Sequence, residues 1–219
     1  MGSVLAAVFI IVFIGLFAGL IAWAARMSKR TANNLRQMAA TLGLTYTGQP
    51  PSLGMFYTQA RAEGPLRGKQ VALFPFFTGS GKSRTQWCAV SATVPVACSL
   101  TFHLRRQGWG TKVMEVFGAR EIQIGDAEFD RGWFIQTNQP EFFREALLPE
   151  LREKVQALVR GADTSARGVE LRLDKGVVRY AEIGSFASAA SCQRCLRAAD
   201  VVCDLADLAE VAAEQKTGG

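Results

Sequence analysis

Five cysteines are the side chains best suited to metal or redox chemistry in this 219-residue chain. Cys192 and Cys195 form a Cys-x-x-Cys motif, and Cys203 follows eight residues later. This spacing is typical of zinc ligands and of reactive thiol pairs. The alternative is structural, because all three cysteines share one apolar stripe with Ala199 and Val202 on a predicted helix, where cysteine packs as a small hydrophobe. The sequence favours the structural interpretation and leaves a metal site at Cys192, Cys195 and Cys203 as the alternative.

A second candidate site is a short acidic segment that contains Asp126, Glu128, Asp130 and Arg131. Paired carboxylates can bind a divalent cation or transfer protons, so Asp126, Asp130 and Arg131 are candidate binding residues. A tight turn uses the same residue types. We expect Asp126 to cap the turn and Asp130 to pair with Arg131 or a nearby backbone amide.

Two further motifs have simpler explanations. Residues 79–83 read Gly-Ser-Gly-Lys-Ser, but Phe76 stands where a phosphate-binding P-loop requires its first glycine. A hairpin tip is predicted there instead. His103 lies in a predicted strand, and no Gly-x-Ser-x-Gly segment is present to place a serine nucleophile. These patterns favour a non-enzymatic protein that requires no cofactor.

The elements that position these residues begin with an apolar segment at residues 4–25, which has 22 positions and no charged side chain. As a helix it extends ~33 Å, enough to cross a hydrocarbon core about 30 Å thick. A signal peptide usually has a basic start and a shorter apolar run, whereas this chain starts Met-Gly-Ser. We therefore expect a retained transmembrane helix that contacts the lipid bilayer.

Charge predicts the orientation of this helix. Four basic residues follow the apolar segment, and none precedes it: Arg26, Lys29, Arg30 and Arg36. Because cytoplasmic flanks carry the basic excess, the folded remainder is predicted to be cytoplasmic. The alternative is that these residues anchor the helix at lipid headgroups on either side. Beyond residue 36 the 21 basic and 19 acidic residues nearly balance, which argues against a nucleic-acid partner.

The remaining pattern predicts an α+β fold, in which a mainly antiparallel sheet packs with helices. We expect a transmembrane anchor with its basic flank at residues 1–30, a single α+β domain at 31–215 and a tail at 216–219. Asn138 is predicted to cap a helix, and Leu148 to mark a break between two helices. The other predicted elements are strands at 55–63, 69–78, 85–95 and 99–106, a hairpin at 168–183, and helices at 31–42 and 186–214. A loop is predicted at 49–52 and a hairpin turn at 64–68, and Pro75 predicts an edge strand or a bulge. The apolar stripe of Leu35, Met38, Ala39 and Leu42 could lie on the membrane surface, but we expect it to pack on the sheet.

The Gly-Asp-x-x-Phe-Asp-Arg corner at residues 125–131 carries a resemblance. Together with Leu42-Gly43-Leu44 and Leu147-Leu148-Pro149, it resembles uncharacterised bacterial proteins with an N-terminal membrane anchor and a compact α+β domain. The resemblance covers residues 30–160 and implies a bacterial inner-membrane setting, but no catalytic residue.

The sequence as a whole predicts a single-pass inner-membrane protein. Its cytoplasmic domain is expected to act as an interaction, scaffold or sensing module with a protein partner at the membrane. The alternative function is a membrane-tethered thiol-redox or zinc-binding protein that uses Cys192 and Cys195.

Overall fold

One unbroken helix, α1 (Gly2–Leu42), joins the apolar segment to the folded domain. The computed structural model describes residues 2–48, 60–106, 120–160 and 168–217. By length and composition α1 can cross a membrane, and its most apolar window is fully exposed. Its C-terminal half buries Leu35, Met38 and Ala39 in the domain core, as the sequence predicts.

Nine antiparallel strands form a single sheet in the part of the chain that the structure describes. The strand order across the sheet is β1-β2-β3-β4-β9-β8-β5-β7-β6. Each strand pairs with its neighbour in a register that alternates side chains between the two faces. The bounds are β1 Thr45–Thr47, β2 Arg61–Leu66, β3 Lys69–Thr78, β4 Thr85–Thr93, β5 Phe102–Arg106, β6 Arg120–Ile122, β7 Trp133–Thr137, β8 Glu170–Asp174 and β9 Val177–Ile183.

The described helices all contribute to the core on one face of this sheet. The longest after α1 is α5, whose buried alanines, valines and cysteines pack on the central strands β3, β4 and β9. The predicted α+β fold is therefore confirmed. The remaining helices are α2 Ala127–Gly132, α3 Pro140–Ala146, α4 Pro149–Ala157 and α5 Ala189–Thr217.

Ion pairs fix α5 to the turn between β2 and β3. Arg67 Nη1 lies 2.7 Å from Asp204 Oδ1, and Lys69 Nζ lies 2.6 Å from Glu210 Oε2. The Lys69 side chain is only 7% exposed, so its charge depends on these carboxylates. Burial lowers the pKa of Lys69, but the hydrogen bonds and charges of Glu210 and Asp207 outweigh it and raise the pKa overall.

Several predicted boundaries are confirmed. The strand over 69–78 and the hairpin around Lys175 are present, and the helices break at Leu148. Pro75 was predicted to mark an edge strand or a bulge, but β3 is an interior strand. Among the described residues its pairing with β2 ends at Leu73, so Pro75 lies past the β2 ladder.

Two local predictions are wrong. Asn138 does not cap α3, which begins at Pro140; instead its side chain accepts a hydrogen bond from Thr101 N at 2.8 Å and donates to Ser99 O at 2.7 Å. The predicted turn at residues 64–68 is shorter than expected, because β2 continues through Gly64 and Pro65. Strand β1 pairs with β2 only as far as Glu63, so Pro65 leaves no ladder hydrogen bond unmade on that side.

The structure does not describe two of the predicted segments. The predicted loop at residues 49–52 and the first five residues of the predicted strand 55–63 lie outside the described residues.

Candidate interaction surface

The acidic corner is built around α2. Asp126 caps this helix, because its Oδ1 accepts hydrogen bonds from Glu128 N and Phe129 N, both at 3.1 Å. Asp130 accepts from Ile124 N at 3.0 Å and from Gly125 N at 3.1 Å. The predicted capping and backbone-pairing roles are therefore confirmed. A binding role for Asp126, Asp130 and Arg131 stays a prediction, with Arg131 exposed on the same short helix.

The cysteines of α5 are packed in the core. Cys195 and Cys203 are 0% exposed and Cys192 is 8% exposed. The Sγ of Cys192 donates to Phe186 O at 3.2 Å, and the thiol of Cys195 lies beside that of Cys88 on β4. Among the described residues, no group of three or more His, Cys, Asp or Glu side chains is arranged to hold a metal ion.

The protonation of these thiols agrees with a packing role. Burial, reinforced by neighbouring Cys88, raises the pKa of Cys192 to about 11. Burial also raises the pKa of Cys203 to about 11 and that of Cys195 well above its ordinary value. A thiolate is the reactive and metal-binding form, so these surroundings disfavour both chemistries. The geometry supports the structural interpretation of the Cys-x-x-Cys motif.

Sequence reasoning missed a buried ion pair inside that motif. Arg194 donates from Nε to Glu182 Oε2 at 2.6 Å and from Nη2 to Glu182 Oε1 at 3.0 Å. Tyr180 donates its hydroxyl to the same carboxylate at 2.7 Å. The sequence pattern that could have revealed it is the alternation of Val178, Tyr180 and Glu182 along β9, which places all three side chains in the core. A buried carboxylate needs a buried cation to compensate its charge.

The main surface that the sequence did not predict is the face of the sheet opposite the described helices, which we call the open face. Its apolar centre is a second hydrophobic cluster composed of strand residues alone, and none of the described helices contributes to it. The members of this cluster are Phe74, Phe76, Trp87, Ala89, Ala181 and Ile183.

Aromatic stacking orders the centre of the open face. The Phe76 and Trp87 rings stack with centroids 5.8 Å apart and planes 12° from parallel. Trp87 Nε1 donates to Thr78 Oγ1 at 2.7 Å, which fixes the indole in place. The Arg179 guanidinium lies over the Phe76 ring, 5.0 Å from its centroid. The surface thus combines aromatic area with positive charge.

Charged side chains continue the open face beside this centre. Glu170 accepts from Arg179 Nη2 at 3.1 Å and lies 3.3 Å from His103 Nε2. Burial raises the pKa of Glu170, but the hydrogen bond and charge of His103 and the charge of Arg179 outweigh it and hold the pKa below its ordinary value. Farther along, Arg105 lies over the Phe134 ring at 5.4 Å. The only histidine of the chain therefore belongs to this surface.

The predicted membrane flank divides into two parts. Arg26, Lys29 and Arg30 are exposed on α1 just after the apolar segment. Arg36 instead lies over the Tyr46 ring, 4.8 Å from its centroid, and donates to Asn33 Oδ1 at 3.3 Å. The structure therefore places Arg36 against strand β1 of the domain.

Comparison with known proteins gives one distant likeness. No family model and no curated protein sequence matches this chain. Among solved structures, the crystal structure of the mycobacterial trehalose monomycolate transport factor A, TtfA, is similar with a TM-score of 0.49 and 14% sequence identity. The likeness covers 81% of this chain and 93% of that chain.

Proposed function

We propose that this chain is a single-pass bacterial inner-membrane protein whose cytoplasmic domain is a non-enzymatic interaction or scaffold module. The open face of the sheet is its docking surface for a protein partner. The observation that carries this proposal is the apolar, arginine-bordered open face, presented by a domain that one continuous helix joins to an apolar segment long enough to cross a membrane.

The tether supports the membrane half of the proposal. The large apolar side chains of α1 between Val8 and Trp23 are exposed, including Phe9 at 78%, Phe13 at 65% and Trp23 at 62%. Such exposure over a continuous apolar segment is stable in lipid and costly in water. The exposed basic residues Arg26, Lys29 and Arg30 follow directly, which favours a cytoplasmic domain.

The composition of the open face supports the docking half of the proposal. A sheet face that helices leave uncovered is normally polar, whereas this one has the half-buried Phe74 and Phe76 beside Trp87, which is 8% exposed. Aromatic residues and arginine are enriched where proteins bind one another. Beside the centre, Arg61 pairs with Glu63 and Arg172 pairs with Asp174. An apolar centre with a rim of mixed charge fits a protein surface of complementary pattern.

Photocrosslinking in intact cells tests the docking surface. Benzoylphenylalanine replaces Phe76 or Phe134 on the open face, and the matched control replaces Leu148, which is 57% exposed beside α4 on the helical side. The proposal predicts one discrete protein adduct shared by the two open-face positions and absent from the control.

Identification of that adduct by mass spectrometry then names the partner. Charge reversal of an open-face cation, Arg172→Glu, is expected to weaken the adduct, because the rim charges fix the orientation of the partner. Equal labelling from Leu148, or adducts with lipid alone from Phe76 and Phe134, would contradict the docking role of the open face.

A further inference from the structure

The β3–β4 hairpin and the membrane helix leave the domain at the same end of the sheet. At this end Gly184 N donates to Gln86 O at 3.1 Å, and two residues later Phe186 O accepts from Asn34 Nδ2 at 2.7 Å. From Asn34, α1 runs along the strands to Leu44, which packs against Gly64 toward the opposite end of the sheet. The N-terminal half of α1 therefore projects past the end that carries the hairpin.

The hairpin tip extends past this end of the sheet about as far as the basic residues of α1 do. The tip, residues 79–84, lies two to four residues beyond the Phe77–Gln86 pair, at most about 7–13 Å at ~3.3 Å per extended residue. Lys29 and Arg30 precede Asn34 by five and four residues, so they lie about 6–8 Å beyond it along α1. A membrane surface at Lys29 and Arg30 would therefore lie within reach of the hairpin tip.

The chemistry of the tip suits an anionic surface. Lys82 and Arg84 are exposed, and residues 78–85 include no acidic side chain. Gly79 makes the tight turn possible, with φ +76° and room for no side chain beside the Ser83 carbonyl. Arg84 lies over the Phe77 ring, 4.0 Å from its centroid, so the tip presents an ordered cation above an aromatic ring.

We infer that the β3–β4 hairpin tip binds the anionic headgroup surface of the membrane that α1 crosses. Its second contact with the membrane, beside Arg26, Lys29 and Arg30, fixes the tilt of the sheet relative to the bilayer. The inference rests on α1 lying in the bilayer and is independent of any protein partner of the open face. Interfacial basic residues contribute about 1 kcal/mol each near anionic lipid, a factor of about five per residue.

The test uses the full-length protein in nanodiscs of phosphatidylcholine with or without phosphatidylglycerol. A fluorophore attached at Ser80→Cys is quenched when the tip approaches lipids that carry a nitroxide on the headgroup. The signal of the parent chain labelled in the same way is subtracted, because the parent has cysteines of its own. We expect strong quenching in anionic nanodiscs, weaker quenching in neutral ones, and a loss of the difference at high salt. The double variant Lys82→Gln/Arg84→Gln is expected to lower the ratio of docked to undocked tips about 25-fold.

Lys175, at the tip of the β8–β9 hairpin, provides the matched controls at the opposite end of the sheet. The charge control Lys175→Gln should leave quenching at Ser80→Cys unchanged, and a fluorophore on Lys175→Cys should stay unquenched. Quenching at position 80 that is independent of lipid charge, or equal at positions 80 and 175, would overturn the inference. Because no partner enters the assay, either result leaves the docking role of the open face to be judged separately.

Discussion

Replacing Arg194 with methionine removes the guanidinium that neutralises Glu182 inside the core. Glu182 is 0% exposed, and Arg194 supplies two of its side-chain hydrogen bonds, at 2.6 and 3.0 Å. In Arg194→Met only the Tyr180 hydroxyl still donates to this carboxylate among the side-chain bonds described above. An uncompensated buried charge is the expected consequence.

The expected loss is large because desolvation is no longer offset. Breaking a buried ion pair by removing one partner costs about 3–5 kcal/mol. In a chain of this size each kcal/mol corresponds to about 2–4 °C in Tm, so Arg194→Met should unfold about 6–20 °C below the parent. Replacing both partners, Glu182→Leu/Arg194→Met, should cost less than either single change, since no charge then stays buried.

Thermal unfolding of the full-length protein in detergent, followed by near-ultraviolet circular dichroism, measures these shifts. The matched control is Arg197→Met, one turn along α5 at an exposed position, which should change stability by no more than about 0.5 kcal/mol. A Tm for Arg194→Met equal to that of the control would refute the reasoning, as would a double variant whose loss equals the sum of the two single losses.

Three further outcomes follow from the contacts described. Cys192 and Cys195 should react with a thiol reagent no faster than the protein unfolds, because burial keeps them protonated; rapid labelling of the pair would instead favour redox or zinc chemistry. Asp126→Ala should cost about 1 kcal/mol through loss of the α2 cap, read as a drop in Tm, and an unchanged Tm would deny the capping role. Glu170→Gln should destabilise the domain at pH 7. Because the folded-state pKa of Glu170 is lowered, the stability it contributes is present above its ordinary pKa and is lost as pH falls through the folded value. The stabilities of the parent and the variant should therefore converge in acid. A stability difference that persists in acid would contradict the pairing with His103.

Much of the fold was predictable because local patterns and global packing agree. The strand over 69–78 is an example, because its branched and aromatic residues favour a strand and the glycines on either side of it favour turns. The apolar stripe of α5 gave the packing of its three cysteines, since any helix with that periodicity must bury the stripe. The prediction that Asn138 caps α3 was wrong because its side chain bonds to the backbone of Ser99 and Thr101 instead. No local sequence pattern reveals these distant partners.

The candidate surface was not predictable from local patterns alone. Phe74 and Phe76 alternate with Val71 and Leu73, so the sequence shows that both faces of β3 are apolar but not which one the helices cover. The stacking of Phe76 on Trp87 depends on the β3–β4 register. Arg179, Glu170 and His103 come from three strands whose adjacency follows from the strand order β4-β9-β8-β5, a non-local property.

Labelling with a membrane-impermeant maleimide in intact cells tests the membrane tether most directly. Single cysteines are placed before the apolar segment, as Ser3→Cys, and at the distal hairpin, as Lys175→Cys, and both are compared with the parent chain. A retained helix with a cytoplasmic domain predicts labelling of position 3 in intact cells and of position 175 only after permeabilisation. Labelling of position 175 in intact cells, or a mature protein that has lost position 3, would contradict it.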